Sequence, residues 1–318
     1  MTLTAPMLSN PPPGSPEWLN ARKHGIGASE TAAILGLSRY KSAIDVYVDK
    51  TKEIISPRPD SAASKRGRRL EPVVLDMYEE QYGAIHRNPP QVTSEEYPFM
   101  FASLDAARVD DGRPVEAKTA GKFVAYQWGE AETDDIPQEY LIQVTHQAIV
   151  VKNEYADLPA LLTLDDFRKY TITIDPELAG MIIEGLRLFW QRVENQEPPE
   201  PTTGEEVERL YRKSVPNPVE ADEATMTAFR ELLEVRRAMS PLKARESKLI
   251  DDIKLFMLDR EALIVDAAPV VSWKTANGGR RMDVKRFQSD HPALYAQYLT
   301  QSADSRKFLI KGESNATP

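Results

Sequence analysis

Two short stretches place acids and a lysine close together in the sequence. The segment Phe-Ala-Ser-Leu-Asp105 carries one isolated carboxylate, and Val-Glu116-Ala-Lys118, shortly after it, adds a second carboxylate and an ammonium group. Two carboxylates can bind a hard divalent cation, and the positive charge of a lysine beside them can stabilise a hydroxide ion. These residue types therefore predict the hydrolysis of a phosphodiester bond by metal-activated water.

The strand pairing expected around these residues brings them to one face of a β-hairpin. A two-residue turn at Asp111-Gly112 makes Asp105 face Lys118. Glu116 shares the side of its strand with Lys118, so Asp105 and Glu116 become diagonal neighbours, with Cβ atoms about 7–8 Å apart. A solvent-exposed hairpin face with an incidental ion pair fits the same pattern. A turn of another length would change the register and with it the residues that face each other.

Two further polar positions could complete such a centre. Glu71 lies at the start of the apolar face of a helix predicted over 66–82, where its carboxylate could lie above the sheet as a third acid. A first-turn glutamate that interacts with the helix dipole is the alternative. Gln143 shares one side of a helix predicted over 137–151 with Gln147. Its amide can bind a water molecule or a phosphate oxygen, but it is equally an ordinary polar position on a helix.

An anion site is predicted nearer the N-terminus. Arg22 and Ser29 flank the segment Gly-Ile-Gly-Ala-Ser29-Glu30, in which Ser29 is expected to cap a helix. Backbone amides at a helix start together with an arginine suit a phosphate group. A glycine-containing loop followed by an ordinary helix cap is the alternative.

Composition argues against several other chemistries. The chain has no cysteine, which removes disulfides, thiolate zinc sites and cysteine nucleophiles. None of its histidines forms a metal-ligand pair at helical spacing, and the sequence has neither a Walker phosphate-binding loop nor a Gly-x-Ser-x-Gly elbow. No apolar run is long enough to span a membrane, so we expect no membrane partner. The absence of cysteine fits the reducing cytoplasm, where we expect the protein to be located.

The formal net charge is −9 at pH 7. An enzyme of this charge that acts on nucleic acid must concentrate its basic groups, because its surface as a whole repels phosphate. Basic clusters occur at 65–69, 280–281, 285–286 and 306–307. Each of them could equally be an ordinary solvated face.

The elements expected to position these residues form a mixed core and a charged extension. Residues 1–16 are predicted to be disordered, 17–195 to form the core, 196–220 a Pro-rich acidic linker, 221–312 a mostly helical extension and 313–318 a tail. Strands are predicted within 84–93, 97–109, 114–119, 160–164 and 170–174, and helices at 42–50 and 176–192. The extension should contain a helical stretch over 221–260 that breaks before Pro241, a hairpin at 262–275 and a last helix from Asp283 to about Tyr298. The fold class is therefore α/β (α+β), with a mixed central sheet flanked by helices.

Taken in order, these segments resemble the YqaJ-type viral recombinase nucleases, relatives of the phage lambda exonuclease in the PD-(D/E)xK nuclease class. The resemblance covers about residues 17–195. It is carried by Trp18-x-x-x-Arg22, Gly25-Ile-Gly-Ala-Ser29-Glu30, Arg69-Leu-Glu71-Pro, Phe101-Ala-Ser-Leu-Asp105, Glu116-Ala-Lys118 and Tyr140-Leu-Ile-Gln143-Val. Leu104 stands where the class motif has proline, which affects the shape of the strand but not the metal-binding acid that follows.

The resemblance implies a PD-(D/E)xK core of the restriction-endonuclease type and assigns roles to residues. Asp105 and Glu116 would bind Mg²⁺, or Mn²⁺ in its place, with Glu71 close to the metal. Lys118 would orient the attacking water or help to deprotonate it. Gln143 matches the family's glutamine after the core strands.

The resemblance also implies a substrate and partners. Arg22 and Ser29 match positions that hold the 5′-phosphate of a DNA end. Family members digest linear duplex DNA in the 5′→3′ direction, often as a ring-shaped homotrimer, and work with a single-strand annealing protein in bacterial or phage-infected cells. An endonuclease of the same chemistry is the first alternative. A non-catalytic protein that binds DNA ends is the second.

Overall fold

The structure is a computed structural model that describes residues 20–310, except 21, 52–60, 164, 277, 280 and 302–303. The chain forms two compact units, one ending at Arg212 and the other beginning at Lys213. The predicted disordered segment 1–16 and tail 313–318 lie outside the described residues, as does Arg280 of one basic cluster. Within the described part, no helix is long and apolar enough to cross a membrane.

The helices of the first unit largely follow the predicted pattern. They are α1 (Ala28–Ile34), α2 (Ala43–Thr51), α3 (Ala62–Tyr82), α4 (Gln138–Val151), α5 (Pro176–Glu194) and α6 (Gly204–Leu210), with 3-10 turns at Arg22–His24 and Ala125–Gln127. Helix α3 begins where the Ser61 hydroxyl accepts a hydrogen bond from the Ser64 amide at 3.0 Å. It ends before Gly83, whose φ of +107° suits glycine.

The strands of the first unit form two sheets. They are β1 (Ile26–Gly27), β2 (Ile85–Arg87), β3 (Val92–Thr93), β4 (Met100–Ala102), β5 (Ala106–Arg108), β6 (Pro114–Val115), β7 (Lys118–Thr119), β8 (Tyr155–Leu161) and β9 (Phe167–Thr173). In the main sheet, β5 pairs antiparallel with β2 and β6, while β6 and β7 both pair parallel with β8, and β9 pairs antiparallel with β8. The small sheet has the order β1-β4-β3. The predicted fold class, a mixed sheet flanked by helices, is confirmed.

The pairing of β5 with β6 differs from the prediction. Ala106 pairs with Val115, whereas a two-residue turn at Asp111-Gly112 would pair it with Ala117, so the predicted turn is wrong. The register moves by an even number of residues, which keeps every side chain on its predicted face. Continuing this register places Asp105 opposite Glu116, whereas the predicted register paired it with Lys118.

Three other local predictions need correction. Ser29 lies inside α1 and does not cap it, because Gly27 is the residue that precedes the helix. The strands β8 and β9 begin earlier than the predicted 160–164 and 170–174. Helix α6 forms inside the stretch predicted to be a linker.

The core of the first unit is built around α4, which is buried on both sides. Ile142 and Val150 pack in one apolar cluster with α2 and α5, while Val144 and Ala148 pack in a second cluster with β8 and β9. A helix enclosed in this way carries its polar side chains into the interior, where each must find a partner. This position of α4 determines where its glutamines and its histidine point.

The second unit consists of a long helix, a hairpin and two short helices. They are α7 (Glu223–Met257), β10 (Ala262–Val265), β11 (Ala268–Ser272), α8 (Val284–Asp290) and α9 (Pro292–Gln297). Helix α7 continues through Pro241, so the predicted break there is wrong. The hairpin is where the sequence placed it, and the predicted last helix is divided at His291 into α8 and α9.

Candidate active site

The acids and the lysine meet where β5, β6 and β7 end or begin. Asp105 directly precedes β5, Glu116 follows β6 and Lys118 opens β7. The Ala117 amide donates a hydrogen bond to Asp105 Oδ2 at 2.9 Å, and Lys118 Nζ donates to Glu116 Oε1 at 2.6 Å. The three predicted groups are therefore adjacent on one side of the sheet.

Two glutamines of α4 complete the surroundings of Glu116. Gln143 Nε2 donates to Glu116 Oε1 at 2.6 Å, while Gln143 Oε1 accepts from Lys118 Nζ at 3.0 Å. Gln147 Nε2 donates to Glu116 Oε2 at 2.6 Å. Both oxygens of this buried carboxylate are thus held by named donors. Gln147 contacts Glu116 as directly as Gln143 does, a role that the sequence did not indicate.

Two aromatic rings support Lys118. Its Nζ atom lies 5.0 Å from the centroid of the Tyr140 ring, a cation–π contact. The Tyr140 ring in turn stacks on Trp128, with 5.4 Å between centroids and 29° between planes. The lysine therefore contacts the Tyr140 ring as well as the oxygen atoms of Glu116 and Gln143.

Glu71 adds a third negative charge to this centre. It lies half-buried on α3, the helix that packs across β7 and β8. Burial raises the pKa of Glu71, and the charge of Glu116 raises it further. Burial likewise raises the pKa of Asp105 well above its usual range, with contributions from Glu116 and Glu71 and against the effect of Lys118. Three carboxyl groups therefore lie near the ammonium group of Lys118.

Lys118 is held in its charged form. Burial lowers the pKa of its ammonium group, but the negative charges of Glu116 and Asp105 outweigh that effect, so the pKa of Lys118 lies above its usual value. A protonated Lys118 donates hydrogen bonds and contributes positive charge.

The residues present suit a hard divalent cation. Carboxylate oxygens are the ligands that Mg²⁺ and Mn²⁺ prefer. Gln147 Oε1 is buried and has no hydrogen-bond partner in the described part of the chain, which indicates that a polar partner is missing beside Glu116. Across the described ranges, however, no three His, Cys, Asp or Glu side chains already surround one point, because Glu116 is turned to Lys118 and the glutamines.

Arg22 and Ser29 also come together, in a second polar cluster. Arg22 Nη2 lies 3.4 Å from Ser29 Oγ and 3.4 Å from Glu30 Oε2. Lys50, which is 2% exposed, donates to the same Glu30 oxygen at 2.6 Å and to the Arg22 carbonyl at 2.6 Å. Lys41 lies 3.9 Å from the other Glu30 oxygen. Three cations therefore surround one carboxylate beside a hydroxyl and the start of α1.

The charges of this cluster depend strongly on one another. Burial alone would raise the pKa of Glu30, but Arg22, Lys50 and Lys41 lower it to about 2. Burial lowers the pKa of Lys50 to about 8, against the opposing effect of Glu30. Glu30 thus remains ionised at neutral pH, and it keeps the cations in place.

Gly27 permits the close packing of Arg22. A Cβ atom at Gly27 would lie 2.8 Å from Arg22 Nη2, closer than real Cβ contacts occur, and 3.0 Å from the Phe101 ring, which is a tight contact. The guanidinium carbon of Arg22 sits 5.3 Å from the centroid of that same ring. The glycine, the arginine and the ring therefore form one packed unit.

His146 on α4 links this cluster to the core. Its Nδ1 lies 2.8 Å from Thr31 Oγ1 on α1, and its Nε2 lies 3.1 Å from the Phe101 carbonyl on β4. Because a carbonyl only accepts, Nε2 carries the proton and Nδ1 accepts from the threonine. Helix α4 thus contacts Glu116 through its glutamines and the surroundings of Arg22 through this histidine. The sequence pattern raised only metal binding as a role for His146. A buried histidine that pairs with distant groups leaves no regular spacing in the sequence that would predict the contact.

Comparison with known families gives a direct match over the segment that holds both clusters. Residues 17–154 match the YqaJ-like viral recombinase domain. The chain is also 27% identical over 304 residues to the uncharacterized protein YqaJ of Bacillus subtilis (strain 168), a match that covers 93% of each chain. The resemblance to the YqaJ-type family is therefore confirmed.

Solved structures of exonucleases are also similar to this chain. LHK-Exo in complex with dAMP matches with a TM-score of 0.49 and 19% identity, covering 57% of this chain and 94% of that chain. The alkaline exonuclease LHK-Exo from Laribacter hongkongensis matches with a TM-score of 0.47, the same identity and the same coverage. A phage related exonuclease from Haemophilus somnus 129PT matches with a TM-score of 0.40 and 14% identity, covering 56% of this chain and 99% of that chain.

Proposed function

We propose that this protein is a divalent-metal-dependent DNA exonuclease that digests linear duplex DNA from 5′ ends and leaves single strands for phage-type recombination. The observation that carries the proposal is the buried Glu116 carboxylate, held by Lys118 and two glutamines opposite Asp105. This combination of acids, lysine and amide on a mixed sheet suits phosphodiester hydrolysis.

Each residue of the centre would have its own role in the hydrolysis. Asp105, Glu116 and Glu71 would hold the cation, which when bound supplies positive charge at the scissile phosphate and lowers the pKa of water. Lys118 donates a hydrogen bond that orients the attacking water and offsets negative charge as it develops. Gln143 fixes the side chains of Lys118 and Glu116 relative to each other, because it forms a hydrogen bond with each of them.

The second cluster would receive the end of the DNA. Arg22 and Ser29 provide a guanidinium and a hydroxyl for the 5′-terminal phosphate, next to the amides at the start of α1. Lys50 is buried with Glu30 and holds the backbone of Arg22 in place. The exposed basic positions of segment 65–69, on the same helix as Glu71, offer contacts to the phosphate backbone.

Several finer points rest on the family resemblance alone. They are Mg²⁺ as the working cation with Mn²⁺ as a substitute, a homotrimer, a single-strand annealing protein as partner and a cytoplasmic location. Light scattering would test the trimer through a solution mass three times that of the protomer. Activity measured with each cation after treatment with a chelator would test the metal.

The central experiment follows digestion of three substrates with Mg²⁺ and with EDTA. They are a 5′-phosphorylated linear duplex, the same duplex with a 5′-hydroxyl, and closed circular DNA. We expect Mg²⁺-dependent release of nucleotides from the phosphorylated linear duplex, slower digestion of the hydroxyl form and no cutting of the circle. Cutting of the circle would instead establish an endonuclease, and metal-independent end binding without product would establish a binding protein.

Variants with matched controls connect the activity to the site. Glu116→Ala and Lys118→Ala should each reduce the rate at least about 100-fold, since both groups contact the reacting centre. Glu95→Ala and Lys152→Ala are the controls, because these residues form an exposed ion pair of the same types, 2.9 Å apart. Undiminished activity in both Glu116→Ala and Lys118→Ala would refute the proposed centre.

A further inference from the structure

Exposed aromatic side chains lie next to the proposed cutting centre. Tyr40, Phe123 and Tyr126 are 76%, 81% and 80% exposed, and we call these three residues the aromatic rim. Single exposed aromatics are common on protein surfaces, but a group of them beside a functional centre indicates a binding surface.

The aromatic rim belongs to two segments that contact each other near Lys118. Arg39 Nη2 donates to Gln127 Oε1 at 3.2 Å, which joins the turn that carries Tyr40 to the turn that carries Tyr126. Trp128 follows directly and stacks on Tyr140, the ring that Lys118 contacts. Burial raises the pKa of the Tyr140 phenol, and the charges of Lys118, Tyr40 and Arg39 all act on it, so the rim and the lysine share these surroundings.

The segment that carries Phe123 and Tyr126 is a preformed platform. Backbone hydrogen bonds from Val124 and Ala125 to the Gly121 carbonyl, at 2.9 and 3.1 Å, fold it into consecutive turns. Ala125 and Trp128 pack into the apolar cluster of β8 and β9, whereas Phe123 and Tyr126 project into solvent. A platform that is already ordered loses little conformational entropy when it binds.

Cations alternate with the aromatic rings along the rim. Lys122 Nζ lies 5.0 Å from the centroid of Phe123, and the guanidinium carbon of Arg39 lies 5.3 Å from the centroid of Tyr40. Rings that are open to solvent can stack on bases of any type, and neighbouring cations can pair with the phosphates between those bases. An acidic protein partner would pair only with the cations, and an apolar protein partner would contact only the rings.

We infer that the aromatic rim stacks the unpaired nucleobases of a single strand at the DNA end, beside the cutting centre. The ligand class is single-stranded DNA of any sequence, since stacking reads the face of a base and not its edge. This inference rests on the proposed function, because a duplex that is digested at one end exposes such a strand next to Lys118.

The first test measures the binding of a fluorescein-labelled oligothymidylate to the full chain in EDTA by fluorescence anisotropy. The double variant Phe123→Ala/Tyr126→Ala should bind at least about fivefold more weakly than wild type, the loss expected for about one stacked base. The slope of log affinity against log salt should not change, because no phosphate contact is removed. Lys122→Ala should lower that slope by about one. Met181→Ala, which removes an exposed apolar side chain on α5, is the control and should bind as wild type does.

The second test reports stacking directly. In Phe123→Trp, addition of the oligothymidylate should quench the fluorescence of the new, solvent-exposed tryptophan, whereas Tyr298→Trp, at an exposed aromatic position of the second unit, should show no such quenching. Unchanged affinity of the double variant would overturn the inference. A double variant that changes the solution mass in light scattering, with unchanged binding per protomer, would overturn it too and identify the rim as an interface between proteins.

The two proposals can fail separately. Binding in EDTA requires no cleavage, so the rim can pass its test even if no nuclease activity is found. A protein that digests DNA but binds the oligothymidylate equally well with and without the rim would refute only the inference about stacking.

Discussion

At the scale of single residues, the proposed binding of a cation around Glu116 conflicts with the stability of the fold. Burial and the charge of Glu116 raise the pKa of both Asp105 and Glu71, while Lys118 lowers it in both. Such an arrangement costs folding free energy when no metal is bound, as functional sites often do.

Substitution of Asp105 should reveal this conflict. We expect Asp105→Asn to raise the free energy of unfolding in EDTA by about 1 kcal/mol, because it removes a buried negative charge and leaves an oxygen that can still accept from the Ala117 amide. Addition of Mg²⁺ should raise the melting temperature of wild type and leave that of the variant unchanged. Thermal unfolding with and without Mg²⁺ measures both effects. Equal Mg²⁺ stabilisation of the two proteins would exclude Asp105 as a ligand.

The two glutamines act through the groups that they hold. Gln143→Ala and Gln147→Ala should each lower the rate by about 10- to 100-fold, as loss of a partner that orients a metal ligand usually does. Gln91→Ala, a partly buried glutamine on another segment, provides a control. Rates should be compared at saturating DNA, so that weaker substrate binding is not mistaken for lower activity. A variant that retains the full rate would show that its amide is dispensable for positioning Glu116.

At the scale of elements, α4 ties the two clusters to one rigid body. Its glutamines contact Glu116, and its histidine joins α1 to β4. Any movement of this helix would disturb both clusters together. We therefore expect the integrity of α4 to govern both binding of the DNA end and cutting.

Protonation of His146 should loosen this connection. Burial lowers the pKa of His146 to about 4, against the opposing effects of its hydrogen bond to Phe101 and the charge of Glu30. Because the folded pKa lies below the unfolded value of about 6.5, the unfolded chain binds the proton more readily. The stabilisation is present above pH 6.5 and is lost as the pH falls toward 4, amounting to about 3 kcal/mol.

Urea unfolding at several pH values measures this effect. As the pH falls from 6.5 to 4, the unfolding free energy of wild type should fall relative to that of His146→Gln by up to about 3 kcal/mol, since glutamine can make both hydrogen bonds and does not titrate there. Equal losses of unfolding free energy in the two proteins between pH 6.5 and 4 would show that protonation of His146 does not cause the loss.

At the scale of the whole molecule, the chain has two units, and helix α6 belongs to the first. Arg209 of α6 pairs with Asp45, whose side chain is 5% exposed, and Leu210 packs against the apolar cluster of α2 and α5. The Pro-rich stretch before α6 thus connects parts of a single unit.

Truncation should distinguish the two boundaries. A fragment 1–212 should unfold cooperatively, whereas a fragment 1–195 should be less stable by about 2 kcal/mol, because it loses a cationic partner of a buried carboxylate and the packing of Leu210. Urea unfolding of both fragments measures the difference. Equal stability would show that α6 does not belong to the folded unit.

The negative charge of the molecule determines how it can hold DNA. With a net charge of −9, attraction must come from local groups such as Arg22 and the positions of segment 65–69. Association with DNA ends should accordingly depend on few phosphate contacts and weaken moderately with salt.

The sequence by itself determined the order of elements and the identity of the chemical groups. Apolar periodicity predicted α3 and α5 within a few residues, because burial of one helix face leaves a regular pattern, and Pro137 predicted the start of α4. The acids, Lys118 and Gln143 could be named because the order of several segments resembles a family, whereas each motif alone also fits an ordinary surface. Only the tertiary structure decided which groups touch. The β5–β6 register depends on the length of a turn, the partners of Glu30 depend on how α2 packs beside α1, and the roles of Gln147 and His146 depend on the enclosure of α4. The turn length is a local choice that several registers satisfy, and the contacts of Gln147 and His146 join residues far apart in the chain, so spacing along the sequence predicts neither.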